Sequence, residues 1–228
     1  MVVNQFDLIN KIKREKIDKR NFKKIANQIL FAGSNAQIDE YNFLNKIDRL
    51  VFDCNFDLKF IYRPHPWAGG GFSGHKIKDN DWKNIKIDSN SIAYLNNVKK
   101  DFIPMSLPEQ NETYLLLNET NITISPLSTI IIETILSGRV AIAYIPSDDK
   151  SFYINKILKR FIHFTELLKS GVIPICNTPE EVIKTCIYYQ NYENYQKCYN
   201  EQQFFLPSLI KNFEKKWSSR FNEFIGNI

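Results

Sequence analysis

The 228-residue chain has few of the residues from which metal sites and disulfide scaffolds are built. Its three histidines, His65, His75 and His163, are not spaced as ligands, and its four cysteines, Cys54, Cys176, Cys186 and Cys198, form no C-x-x-C pair. A zinc site and a disulfide framework are therefore not expected, and scattered thiols agree with a reducing cytoplasm. No apolar run approaches the roughly 20 residues that cross a bilayer, and no charged start followed by an apolar core marks a secretion signal. The Asn-x-Thr triplets at Asn111, Asn118 and Asn121 then read as chance in an Asn-rich chain. Glycine is scarce at eight residues, and four of them fall in "WAGGGFSGHK", which reads as a loop.

What is present is ordinary for a globular protein: 43% hydrophobic and 24% charged residues, with a net charge of +5. Much of the positive excess lies in "KIKREKIDKRNFKK", residues 11–24, where acids and helical spacing favour a solvated helix face over nucleic-acid or membrane contact. No RNA-binding signature with ordered aromatic positions occurs.

Strand and helix signals alternate from residue 28 onward. "QILFAGS" predicts a buried strand ending in a Gly-Ser turn, and Ile38, Tyr41, Leu44, Ile47, Leu50 and Val51 have the spacing of an amphipathic helix. "LKFIYRPHP" predicts a strand stopped by proline, which has no N–H to give a ladder, and "IKID" predicts an edge strand. Then come a helix over "EQNETYLLLN", a strand over "NITISP" and a helix over "STIIIETILSG" closed by Gly138. "VAIAYIP" and "GVIPIC" predict strands on either side of a helix at 151–169, and Thr178 and Pro179 open another helix. The rest of the chain reads as a C-terminal helix whose Phe213, Trp217, Phe221 and Phe224 form one packing stripe. The predicted fold is α/β, a doubly wound, Rossmann-like parallel sheet. The expected division is a basic helical leader or linker at 1–27, a Rossmann-like domain at 28–205, and a C-terminal helix packed on it at 206–228.

In open parallel sheets ligands bind beyond the carboxyl ends of the strands. Gly33 and Ser34 fall at one such end, Arg63 and His65 at a second, and Ser125, Ser128 and Thr129 at a third, just before a helix. A helix N-terminus offers free N–H groups and partial positive charge to a phosphate, although Ser and Thr there also serve as plain caps. Pro64 and Pro66 stiffen the backbone around His65, and the Arg63 guanidinium beside it suits an anion. Glu133 stands one turn into the helix among isoleucines, where it could accept sugar hydroxyls or a salt bridge. Nothing in these motifs calls for a cofactor or a metal.

"YRPHP", followed about sixty residues later by "ISPLSTIIIETILSGRVAIAY", resembles the C-terminal, donor-binding half of GT-B glycosyltransferases. The nearest resemblance is to bacterial capsule and lipopolysaccharide enzymes with His-Pro and Ser-Ser or Ser-Thr motifs: sialyltransferases, Kdo transferases and polyol-phosphate transferases. It covers residues 28–190. It implies that His65 meets the donor phosphate and acts as acid to the leaving nucleotide, with Arg63 near base or phosphate and Ser128 and Thr129 on phosphate. A ribose-binding glutamate is implied at Glu133 or Glu109. Implied partners are a CMP- or CDP-linked sugar donor and a glycan or lipid-linked acceptor, with no nucleic acid, in the cytoplasm or at the inner membrane. The family's "GxPV" is "GRVA" here, with Val140 in place of proline. Residues 1–27 are too short for an acceptor half, so a separate acceptor-binding domain or subunit is expected. A UDP-sugar epimerase-like enzyme and a non-catalytic partner-binding module are the alternatives.

Overall fold

The computed structural model describes residues 17–34, 38–65, 77, 81–91, 110–146 and 162–209. The strands are β1 (Gln28–Ala32), β2 (Lys59–Arg63), β3 (Ile85–Ile87), β4 (Ile122–Ser125), β5 (Val140–Tyr144) and β6 (Ile175–Cys176). They form one six-stranded sheet in the order β3-β2-β1-β4-β5-β6, and every pair is parallel. This is the doubly wound, Rossmann-like parallel sheet expected from the alternating pattern, and its order reverses direction between β1 and β4. The central strands are buried throughout, as the continuous apolar runs "ILFA" and "VAIAY" require when both faces are covered.

Helices cover the sheet. They are α1 (Lys19–Ile25), α2 (Glu40–Asp53), α3 (Gln110–Glu119), α4 (Thr129–Leu136), α5 (Ile162–Ser170), α6 (Pro179–Tyr189) and α7 (Tyr192–Leu209). Helix α2 begins where the Asp39 side chain accepts the Asn42 N–H at 3.1 Å, and its Phe43 packs on Phe31 of β1 and Tyr144 of β5. Thr178 caps α6 as expected, with Pro179 at its first position, and Gly138 ends α4 at φ +73°. Helix α1 lies in the predicted leader, and its Phe22 packs against Tyr192 and Tyr195 of α7. Helix α7 runs unbroken through residues 205 and 206, with Pro207 inside it. The stripe Phe213, Trp217, Phe221 and Phe224, the glycine-rich loop and the first part of the 151–169 helix lie outside the described residues.

The last strand is shorter than "GVIPIC" suggested, because Pro174 has no N–H to give and only Ile175 and Cys176 join the ladder. A side chain replaces the missing strand. Gln202 of α7, fully buried, accepts the Ala141 N–H at 3.0 Å and donates to the Ala141 carbonyl at 2.8 Å and the Val172 carbonyl at 3.2 Å. Its amide pairs with β5 as a peptide group would. Gln202→Leu should therefore lower the unfolding free energy by about 1–3 kcal/mol per orphaned group. Urea denaturation should show the lower midpoint with an unchanged slope, and an unchanged midpoint would contradict this role.

The "GRVA" departure also has a structural use. Arg139 is buried and donates to the carbonyls of Asn118, Thr120 and Gly138 at 3.1–3.2 Å, tying the end of α3 to the start of β5. Val140, where the resemblance has proline, is fully buried as the first residue of β5.

Candidate functional site

Strand order β2-β1-β4 brings three polar strand ends side by side at the point where the sheet changes direction. After β1 the chain passes through Gly33, whose N–H bonds the Arg63 carbonyl at 2.8 Å. Ser34 is buried, and its N–H bonds a carboxylate oxygen of Glu40 at 3.0 Å. A Cβ built on Gly33 would lie 2.6 Å and 2.7 Å from the two Glu40 oxygens, so a larger residue here would have to push the Glu40 carboxyl aside.

The end of β4 supplies hydroxyls. Ser125 is fully buried, and its Oγ lies 2.8 Å from the Ser128 Oγ. Ser128 holds the N-cap position of α4 with extended backbone, yet its side chain makes no capping bond. The plain-cap role open to it in sequence is therefore not the one it plays. Only its carbonyl serves the helix, accepting the Ile131 N–H at 3.1 Å. Thr129 is exposed beside it. An uncapped first turn with two hydroxyls around it presents donors and partial positive charge to an anion.

At the end of β2, Tyr62 and Arg63 point to opposite faces of the sheet, as successive strand residues must. Arg63 is buried. It sits near Glu133 of α4, where burial raises the carboxyl pKa and the guanidinium opposes that rise. Tyr114 of α3 lies in the same field: burial and then Glu133 push its phenol upward. Glu133 is 9% exposed, and no hydrogen bond reaches its carboxylate among the described residues. A guanidinium, a carboxylate with open acceptor sites and a phenol thus gather from β2, α4 and α3. His65 follows the buried Pro64 and is half-buried, and burial lowers its pKa, so the ring is neutral at pH 7.

Gly33, Ser34, Arg63, His65, Ser125, Ser128 and Thr129 all lie at adjacent strand ends, with Glu133 one turn further in. Glu109 and Pro66 lie outside the described residues. Three residues were not singled out in sequence: Glu40, Tyr62 and Tyr114. Among the described residues no group of three or more His, Cys, Asp or Glu is arranged to hold a metal, and no helix is long and apolar enough to cross a membrane.

The sequence matches no family model and no curated protein. Among solved structures, the chain is similar to the C-terminal CMP-Kdo binding domain of WaaA from Acinetobacter baumannii, at 11% identity over 89% of this chain and 97% of that one, with a TM-score of 0.47. It is also similar to TarM, at 12% identity and a TM-score of 0.44; all of this chain aligns, to 42% of TarM.

Proposed function

We propose that the chain is the donor-binding domain of a glycosyltransferase that takes a sugar from a nucleotide-activated donor, CMP- or CDP-linked, to a bacterial surface glycan. One observation supports this above the others. At the sheet's switch point the Ser128 hydroxyl is left uncommitted to its helix and paired with Ser125, in front of an uncapped helix N-terminus. A phosphate is the ligand such an arrangement suits. In this reading Ser128 and Thr129 hold phosphate, Ser125 orients Ser128 from behind, and Gly33 and Ser34 form the opposing wall. Arg63 adds a fixed positive charge, and Glu133 accepts the ribose hydroxyls. His65 donates to the oxygen on which charge develops as the nucleotide departs, the electrostatic part of the catalysis. The base that activates the acceptor comes from a separate acceptor-binding part.

A thermal-shift screen of CMP, CDP, UDP and GDP tests the reading, because a ligand that binds only the folded state raises its melting temperature. Cytidine nucleotides should give the largest rise, and UDP a smaller one. Absence of any shift at millimolar nucleotide would reject it. Ser128→Ala with Thr129→Ala should abolish the shift, while the ligand-free melting temperature falls only by what the loss of the Ser125–Ser128 hydrogen bond costs, since no side-chain cap is lost.

A further inference from the structure

None of the roles above uses the carboxylate beneath the Gly33–Ser34 turn. Glu40 is fully buried in the first turn of α2, on the stripe of Phe43, Leu44, Ile47 and Val51. One oxygen accepts the Ser34 N–H, and the other accepts the Tyr62 hydroxyl. The Gly33 backbone rests against both oxygens so closely that a Cβ there would have to push them aside. The helix does not need this acid, because Asp39 already caps it. The core does not need it either, since a buried carboxyl is unfavourable there without its two donors.

We propose that Glu40 is a positioning residue of the donor site: its carboxyl group, held by the Tyr62 hydroxyl, sets the Gly33–Ser34 backbone that faces the donor phosphates and lies beneath it. This inference rests on the nucleotide-sugar reading above. The ionised carboxyl repels a phosphate on the turn, whereas the protonated carboxyl does not. Burial pushes the group up to about 7, while its bonds from Tyr62 and Ser34 work the other way, so both forms are populated near neutral pH. Phosphate on the turn favours the protonated form, and by reciprocity lower pH tightens binding. Of the titratable and charged groups at these strand ends, Tyr62 from β2 meets Glu40 directly, His65 lies just beyond the same strand, and Arg63, with Glu133 and Tyr114 around it, points to the opposite face of the sheet. Tyr62 is pushed upward and stays neutral, and His65 titrates on the acid side. A comparison with Glu40→Gln retains all of them and isolates Glu40.

CDP-glucose and UDP-glucose are suitable probes, because their phosphate diesters keep a fixed charge from pH 6 to 8. Calorimetric titration of the wild type should show affinity falling about tenfold between those limits, the size expected for a charge several ångströms from phosphate in a partly polar interior. Glu40→Gln should lose the part of this dependence that Glu40 causes, so that it binds increasingly more tightly than the wild type from pH 6 to pH 8. Parallel pH curves for the two proteins would overturn the proposal. A second measurement needs no ligand: the Ser34 amide resonance should titrate near pH 7 in the wild type and stay still in Glu40→Gln. Identical behaviour of that amide in both proteins would also overturn it. If neither protein binds a nucleotide sugar at any pH, the donor reading fails, and the amide titration alone supports or overturns the positioning role. If Glu40→Gln does not fold, the wild type decides: a Ser34 amide that titrates near pH 7 supports the role, and one that does not overturns it.

Discussion

Replacing His65 by alanine is expected to lower glycosyl transfer about 10²–10⁴-fold and to leave the melting temperature almost unchanged. The ring is half-buried at the end of β2, and Pro64 before it is packed into the fold, so the backbone that carries it does not depend on the imidazole. Burial keeps the ring neutral in the resting protein. A phosphate brought beside it opposes that effect, because an opposite charge within a few ångströms favours the protonated form. Under the proposed function the ring interacts most strongly with the leaving phosphate as charge accumulates, a transition-state contact. Loss of such a contact reduces kcat more than it raises KM. Nucleotide release from the donor, measured with the proposed acceptor-binding part supplied, reads both constants. A variant that melts far earlier yet turns over normally when cooled would mark His65 as structural.

The second large effect concerns stability and pH. In the folded protein the Glu40 carboxyl is raised from 4.5 to about 7. The folded state therefore holds the proton more tightly than the unfolded chain. The resulting contribution to stability is fully present below the unfolded value and is lost as pH rises through the folded one. A difference of that size amounts to about 3 kcal/mol. Urea unfolding of the wild type and of Glu40→Gln, from pH 4 to pH 8, separates this group from all others. The difference between the two proteins should move by that amount in favour of Glu40→Gln as pH rises. A constant difference would mean that Glu40 does not titrate in this range.

The sheet was legible in sequence because its strands are short, apolar and ended by Gly33, Pro64 and Pro126, and because helical spacing lies between them. The strand ends carried the candidate residues for the same reason: in "FAGS", "YRPH" and "ISPLS" the polar residues begin where the apolar run stops. Finer features were hidden by ambiguity that only packing removes. Glu40 is an acid at a helix N-terminus, where acids are common, yet it falls on the apolar stripe with Phe43, Leu44, Ile47 and Val51, and that spacing was the available sign of burial. Tyr62 alternated correctly for a strand, but nothing local showed that its hydroxyl would meet a residue 22 positions away. Ser128 had the composition of a cap, and only the geometry shows its hydroxyl turned to Ser125 instead. Gln202 lay within the polar run "NEQQ", which gives no hint that one amide would complete β5.

The most direct measurement is an amide-resonance map of isotope-labelled protein titrated with CMP, CDP and UDP. Saturable shifts should concentrate at Gly33, Ser34, Ser128, Thr129 and Ile130, around the switch point between β1 and β4, with the largest response to a cytidine nucleotide. Shifts confined to α1 and α7, or none at millimolar nucleotide, would contradict a donor site at these strand ends.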